Sequence, residues 1–350
     1  MIEFNFFRPT TLNMIELTSR AKQIILLGSV GGSLVGGLVL WKDHNKYQMK
    51  GNIENKVFIV TGANSGIGRE TVHELARRKG RVYMACRDLN KCEEERTKIV
   101  LDTKNKFVYC RKCDLSSTQS IREFVKQFEG QEKNCDVLIN NAGVMKCRKS
   151  LTSDGIESQL GVNYMGHLLL TQSLKLMLKS SSGGGRVIYL MNLDYRKGEI
   201  NLEDLNSDKD YDPGVAFNQS QLANMLTVSY LAKKWRDDNI SINAVYPGVC
   251  STNIKRHMGV DKSISGNFIA NPIMWLMTRS AARGAHTVLW SATDPELAGV
   301  TGKLFSNMKQ MNVDGKASND DLARKIIAVG QFWTGLETKE SIEQSLKEKR

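Results

Sequence analysis

The stretch Val57–Gly68, VFIVTGANSGIG, carries the most specific chemistry in this sequence. Gly62, Gly66 and Gly68 let a backbone approach a bulky anion, with Asn64, Ser65 and Ile67 set between them. A helix starting near Ile67 would add unpaired N–H groups and a dipole that favours negative charge, as the pyrophosphate of a dinucleotide requires. An ordinary strand-to-helix turn is the alternative that this motif alone leaves open. Seven cysteines, at 86, 92, 110, 113, 135, 147 and 250, form an odd set without the spacing of a disulfide framework. Cys110-Arg-Lys-Cys113 is one C-x-x-C with no second pair to complete a zinc site. Reduced thiols and no metal are expected.

These residues need a scaffold, and the pattern around them supplies one. Short apolar runs alternate with helical periodicity from Lys56 onward, which predicts βαβ units and a single Rossmann-like, doubly wound parallel sheet. About seven strands are expected, at Val57–Val60, Val82–Cys86, Phe107–Cys110, Val137–Asn140, Arg186–Leu190, Ser241–Val245 and Lys303–Phe305. Helical patterns cover Ile121–Phe128, Val162–Leu178, Phe217–Trp235 and Ala281–Ala292. The more polar residues 306–350 read as a short C-terminal extension with one amphipathic stretch, Leu322–Phe332, packed on the outside.

Residues 24–41, IILLGSVGGSLVGGLVLW, contain no charge. As a helix they would reach roughly 27 Å at ~1.5 Å per residue, enough to cross a hydrocarbon core. Gly28, Gly32 and Gly36 recur one turn apart, as in helices that pack in lipid. A membrane anchor is the expectation, with a targeting peptide or a buried helix as alternatives. Basic residues flank the segment evenly, so its orientation is open. The chain thus divides into an N-terminal segment (1–23), the anchor (24–41), a linker (42–55), the α/β domain (56–305) and the extension (306–350). The net charge of +12 suits an anionic membrane surface or a phosphorylated ligand. Nucleic acid is not expected, because no recognised module or stripe of stacking aromatics accompanies the charge.

Further motifs fall in a telling order. Asp114-Leu115 follows the third strand, Asn140-Asn141-Ala142-Gly143 ends the fourth, and Asn163 opens a helix. Pro247-Gly248 ends the sixth strand and Thr252 follows. With Thr61–Gly68, this order resembles the short-chain dehydrogenase/reductase family over about Lys56 to Leu336. Ala85-Cys86-Arg87-Asp88, Asn141–Met145 and the S-x-L-A-N run at 220–224 are similar to its retinol dehydrogenase branch, retinol dehydrogenase 13-like proteins in particular. The resemblance implies that Gly62, Ser65, Gly66 and Ile67 line the pyrophosphate and ribose and that Asp114 holds the adenine. It also places Asn141 along the cofactor and Thr252 at the carboxamide. NADP(H) is favoured over NAD(H), because Arg87 closes the second strand and could join Arg69 on a 2′-phosphate; Asp88 is the carboxylate that NAD(H) would need. The branch further implies a retinoid-like or other lipophilic ligand. It points to the mitochondrial inner membrane or the endoplasmic reticulum, although Glu3 and Glu16 weaken a transit peptide.

The family's reaction uses a tyrosine to exchange the hydroxyl proton, a lysine one turn later, a serine on the fifth strand's exit and a helix asparagine. The tyrosine–lysine run aligns without a gap on Phe217-Asn-Gln-Ser220-Gln221-Leu-Ala-Asn224. Phe217 therefore takes the tyrosine position, Gln221 the lysine position, where its amide could still bond the cofactor ribose as the family's lysine does, and Asn192 the serine position; Asn163 alone is retained. General acid–base catalysis, worth roughly 10²–10⁴-fold, is expected to be lost with the phenol. Tyr230-x-x-x-Lys234 fits Y-x-x-x-K by letters but lies 13 residues further along the same helix. Asp194, Tyr195 and Tyr211 border the expected cleft and are the candidates for a replacement proton donor. Two readings result: a cofactor-binding protein with lost or impaired catalysis, or an oxidoreductase with an atypical proton donor. The loop Asn253–Arg279, rich in Phe, Ile, Met and Trp, suits an apolar lid.

Overall fold

The computed structural model describes residues 50–250, 280–338 and 340. The expected anchor at 24–41, Thr252 and the loop Asn253–Arg279 lie outside them. Among the described residues, no helix is long and apolar enough to cross a membrane.

Strand β1 (Val57–Thr61) shows why the sheet is buried on both faces. Val57 and Ile59 enter one apolar core and Phe58 and Val60 the other, so an unbroken apolar run serves two layers. The strands β2 (Arg81–Cys86), β3 (Val108–Lys112), β4 (Val137–Asn140), β5 (Gly185–Leu190), β6 (Ile240–Val245) and β7 (Leu304–Ser306) join it in parallel. The order is β3-β2-β1-β4-β5-β6-β7-β8, eight strands rather than seven. The additional strand, β8 (Lys309–Met311), runs antiparallel to β7. Its signal is faint because only Asn307 and Met308 separate the two strands, both at positive φ, as a tight hairpin turn requires.

Helices α1 (Gly66–Arg77), α2 (Leu89–Thr103) and α7 (Ala281–Thr293) cover the face that buries Phe58. Helices α3 (Thr118–Glu129), α4 (Gly166–Ser173), α6 (Pro213–Lys234) and α8 (Asp320–Trp333) cover the other. The amphipathic stretch Leu322–Phe332 forms α8, which buries Ala323, Ile326 and Ile327 against α6 and α4. The long helix expected over Val162–Leu178 is broken into a π-helical turn (Leu160–Met165), α4 and the short α5 (Lys175–Lys179). In the π-helical turn the Gly166 amide reaches back to Gly161 O, one residue beyond the α-helical partner, and the Asn163 carbonyl accepts the side chains of His167 and Asn224.

Cysteine pairing departs from expectation. Cys92 of α2 and Cys110 of β3 form a disulfide. Spacing in sequence could not show this, because packing of α2 on β3 brings the two together. Cys110 and Cys113 belong to opposite cores, so the C-x-x-C is not a unit. Among the described residues, no group of three or more His, Cys, Asp or Glu is placed to hold a metal.

Candidate active site

The carboxyl ends of β1, β2, β4, β5 and β6 open onto a cleft of about 700 Å³. At one end the chain leaves β1 through Gly62 and Gly66, both at positive φ. Gly62, Asn64, Ser65, Gly66 and Ile67 line the cleft at the start of α1. Gly68 does not line it; it allows the turn to close, since a Cβ there would lie 2.5 Å from Asn141 Nδ2 and 2.6 Å from Gly62 O. Asn141 holds the turn from the other side, donating its side-chain amide to Thr61 O at 2.7 Å. Asp114, Leu115, Ala142, Gly143, Pro247 and Gly248 complete this half. The Asp114 carboxylate accepts from the Ser116 amide at 3.0 Å and hydroxyl at 2.7 Å, which fixes its orientation.

The charged rim differs from expectation in its membership. Arg69 is bound to Glu70 and Glu95 and does not line the cleft. Arg87 and Lys91 do. Asp88 caps α2 by accepting from the Lys91 amide at 3.2 Å, and its other oxygen pairs with Lys91 Nζ at 3.0 Å. Lys91 was missed because its place is set by that cap rather than by any strand-end motif.

The other half of the cleft is built on α6. Pro213 at its first turn and Asp212, whose carboxylate accepts from Gly214 N and Val215 N, fix where it starts. Phe217, Gln221 and Asn224 then fall at i, i+4 and i+7 on one face and line the cleft, only 3%, 5% and 2% exposed. Gln221 Oε1 accepts from the Asn192 amide at 2.8 Å, and Asn192 Oδ1 accepts from the Asp194 amide at 3.1 Å. Asn163 exchanges hydrogen bonds with Val144, accepting at 2.8 Å and donating at 2.9 Å, and also donates to Ser220 Oγ at 3.0 Å. Asn192, Asn163, Phe217 and Gln221 are thus brought together in one site.

Residues 56–262 match the family of short chain dehydrogenases. The chain belongs to that family. This chain is 40% identical to human retinol dehydrogenase 13, over 90% of its own length and 96% of the relative's. Mouse retinol dehydrogenase 12 is 41% identical over 78% of this chain and 84% of its own. An uncharacterized protein of Mycobacterium paratuberculosis superimposes with a TM-score of 0.65 at 29% identity, covering 81% of this chain and 95% of that one. The NADP active-site complex of Pseudomonas aeruginosa RhlG shares the fold, with a TM-score of 0.58 at 20% identity over 73% of this chain and 96% of that one.

Of the candidate replacement donors, two are committed elsewhere. Tyr195 is fully buried and its hydroxyl accepts from the Asp314 amide at 3.1 Å. Tyr211 donates to Cys147 O at 2.8 Å, and burial beside Glu157 raises its phenol. Neither lines the cleft, nor does Tyr230. Asp194 does, 3.6 Å from Lys197 Nζ, and so does Tyr246, which the sequence reading passed over. Its signal is its place directly before Pro247-Gly248, at the end of β6. The glycine turn yields a direct prediction: Gly68→Val should weaken nicotinamide dinucleotide binding at least ~10-fold and lower the melting temperature, since its nearest neighbours are backbone and a pinned amide. Unchanged binding in a fluorescence titration would refute this account of the turn.

Proposed function

We propose that this chain is a membrane-associated, NADP(H)-binding member of the retinol dehydrogenase-like short-chain dehydrogenases in which the family's proton transfer is lost. The glycine turn fits the dinucleotide: the positive φ of Gly62 and Gly66 and the close approach behind Gly68 are the cradle a pyrophosphate needs. Asp114 would hold the adenine and Asn141 would keep the turn in shape beside the cofactor. When bound, the cofactor supplies or accepts a hydride. The observation that carries the reading is the buried Phe217 ring at the position of the proton donor, with Gln221 and Asn192 bonded to each other beside it. None of the three exchanges a proton near neutral pH.

Arg87 supports NADP(H) over NAD(H). It lines the cleft without a carboxylate partner among the described residues, and Asp88 is occupied by Lys91 and the α2 cap. Arg87→Ala should therefore cost roughly 10–100-fold in NADPH affinity, the range of one or two charged hydrogen bonds, and leave NADH affinity nearly unchanged. An equal loss for both cofactors would remove the 2′-phosphate assignment. The apolar segment 24–41 supports membrane association, in the endoplasmic reticulum or the mitochondrial inner membrane, and the relatives' names support a retinoid-like ligand.

The test is NADPH binding together with turnover on retinal and other lipophilic aldehydes. Tight binding without turnover is the expected result; turnover at ordinary enzyme rates overturns the proposal. A second reading then takes over, because Tyr246 and Asp194 line the same cleft as Phe217. Tyr246→Phe or Asp194→Asn would abolish that turnover.

A further inference from the structure

Two elements wall the adenosine end of the cleft, and one covalent bond joins them. The turn into α2 and its first residues bring Arg87 and Lys91 to the rim, and the chain leaving β3 brings Cys113, Asp114 and Leu115. Cys92 follows Lys91 directly, and Cys110 stands four residues before Asp114. Their disulfide therefore fixes one wall against the other, close to the groups that line the cleft. Noncovalent ties join the same elements: Arg96 of α2 donates to Val108 O at 2.6 Å, and Ile99 shares a core with Val108. Cys92 is fully buried and Cys110 is 6% exposed. Strand β3 is the outermost of the sheet, however, and pairs only with β2, so opening a single ladder uncovers Cys110.

We propose that the Cys92–Cys110 disulfide is a redox switch of NADP(H) affinity: closed, it holds the 2′-phosphate rim of α2 in place, and its reduction loosens that rim. The inference rests on the reading above that this cleft binds NADP(H), and it adds what regulates the binding. The reductant is a dithiol. Its thiolate attacks Cys110 Sγ, the bond between the two cysteines breaks, and Cys92 leaves as a thiolate that takes up a proton. The dithiol's second sulfur then displaces Cys110, so the dithiol ends as a disulfide and the protein gains two electrons and two protons. A rim already held in its bound geometry loses less freedom when the cofactor arrives, so the oxidised form binds tighter. NADH has no 2′-phosphate and makes little use of that rim. Linkage requires the reciprocal effect: bound NADPH makes the disulfide harder to reduce by the same factor.

The experiment titrates full-length protein in detergent with NADPH and with NADH, oxidised and after treatment with dithiothreitol. The other five cysteines are free thiols, so the reductant changes this bond alone, and alkylation in denaturant counts five or seven thiols by mass. Reduction should weaken NADPH about five- to tenfold and NADH less than about twofold. Saturating NADPH should lower the midpoint potential of the bond by about 20–30 mV, the same factor converted for two electrons. Cys92→Ala/Cys110→Ala should bind as the reduced protein does and ignore dithiothreitol. Unchanged NADPH affinity in protein with seven free thiols overturns the switch and leaves the cofactor reading standing, as does an equal loss for NADH. So does a bond that dithiothreitol cannot reduce in the folded protein, or a reduced protein that no longer melts cooperatively. Failure to bind either dinucleotide in either state overturns the cofactor reading itself, and the switch with it.

Discussion

Restoring the three substituted side chains together, Phe217→Tyr, Gln221→Lys and Asn192→Ser, is expected to raise NADPH-dependent reduction of a lipophilic aldehyde by at least ~10²-fold over the natural protein. Phe217 already lines the cleft on the α6 face, so a hydroxyl added at its ring edge enters the site without moving the helix. Lysine four residues on follows one turn later and supplies the charge that lowers a phenol's pKa. The gain will fall short of a native enzyme for an identifiable reason. Gln221 accepts from the residue 192 amide, and a lysine cannot, so that amide must find water. Residues of this kind act as a unit, and Phe217→Tyr alone should recover only a small part of the rate. The measurement is single-turnover and steady-state NADPH oxidation at matched protein. Two results would count against the proposal: natural protein already as fast as the variant, or a folded, NADPH-binding variant that remains inert.

The parts of this fold that could be read from sequence are those set by local pattern. The strand run Val57–Val60, the glycines behind it and the motif ends at Asn141 and Pro247 declare themselves because each serves a backbone need within a few residues. What sequence could not show depends on contacts between distant segments. The carbonyl of Asn163, within the π-helical turn, takes a bond from the side chain of Asn224, 61 residues away, which no local pattern records. The loss of Arg69 from the cofactor rim follows from Glu95 on the neighbouring helix, and Lys91 takes its place through an N-cap that no motif records. The Cys92–Cys110 pair likewise needs α2 laid on β3. Tyr195 looked available by position alone, yet the amide of Asp314, more than a hundred residues on, claims its hydroxyl.

A buried histidine ties the two halves of the site together, and it makes the fold sensitive to acid. His167 is fully buried on α4. Its Nδ1 lies 2.9 Å from Asn163 O, so this nitrogen must carry the proton. Nε2 therefore accepts, and its partner at 3.0 Å is Thr61 Oγ1. That hydroxyl in turn receives the amides of Asn141 and Ala142, both at 2.9 Å. The chain of bonds runs from the glycine turn to the π-helical turn and closes only with a neutral ring. Protonating Nε2 would aim a second N–H at a hydroxyl already accepting two, and the charge would be buried away from bulk solvent. Burial accordingly pushes His167 down from 6.5 to about 4. Because the unfolded chain binds this proton near pH 6.5 and the folded chain only near 4, stability falls as pH drops through that window and levels off below it. For a shift of this size the loss from this residue between pH 7 and pH 5 is about 2 kcal/mol. Urea unfolding at the two pH values should show it in the natural protein, whereas His167→Gln should be less stable at pH 7 and lack this component of the slope. Glu157, whose buried carboxyl is raised and so acts in the opposite direction, is present in both proteins and cancels. An identical pH dependence in the two would mean that His167 takes up its proton as readily in the folded protein as in the unfolded chain and that the bonds to Thr61 and Asn163 do not hold its tautomer.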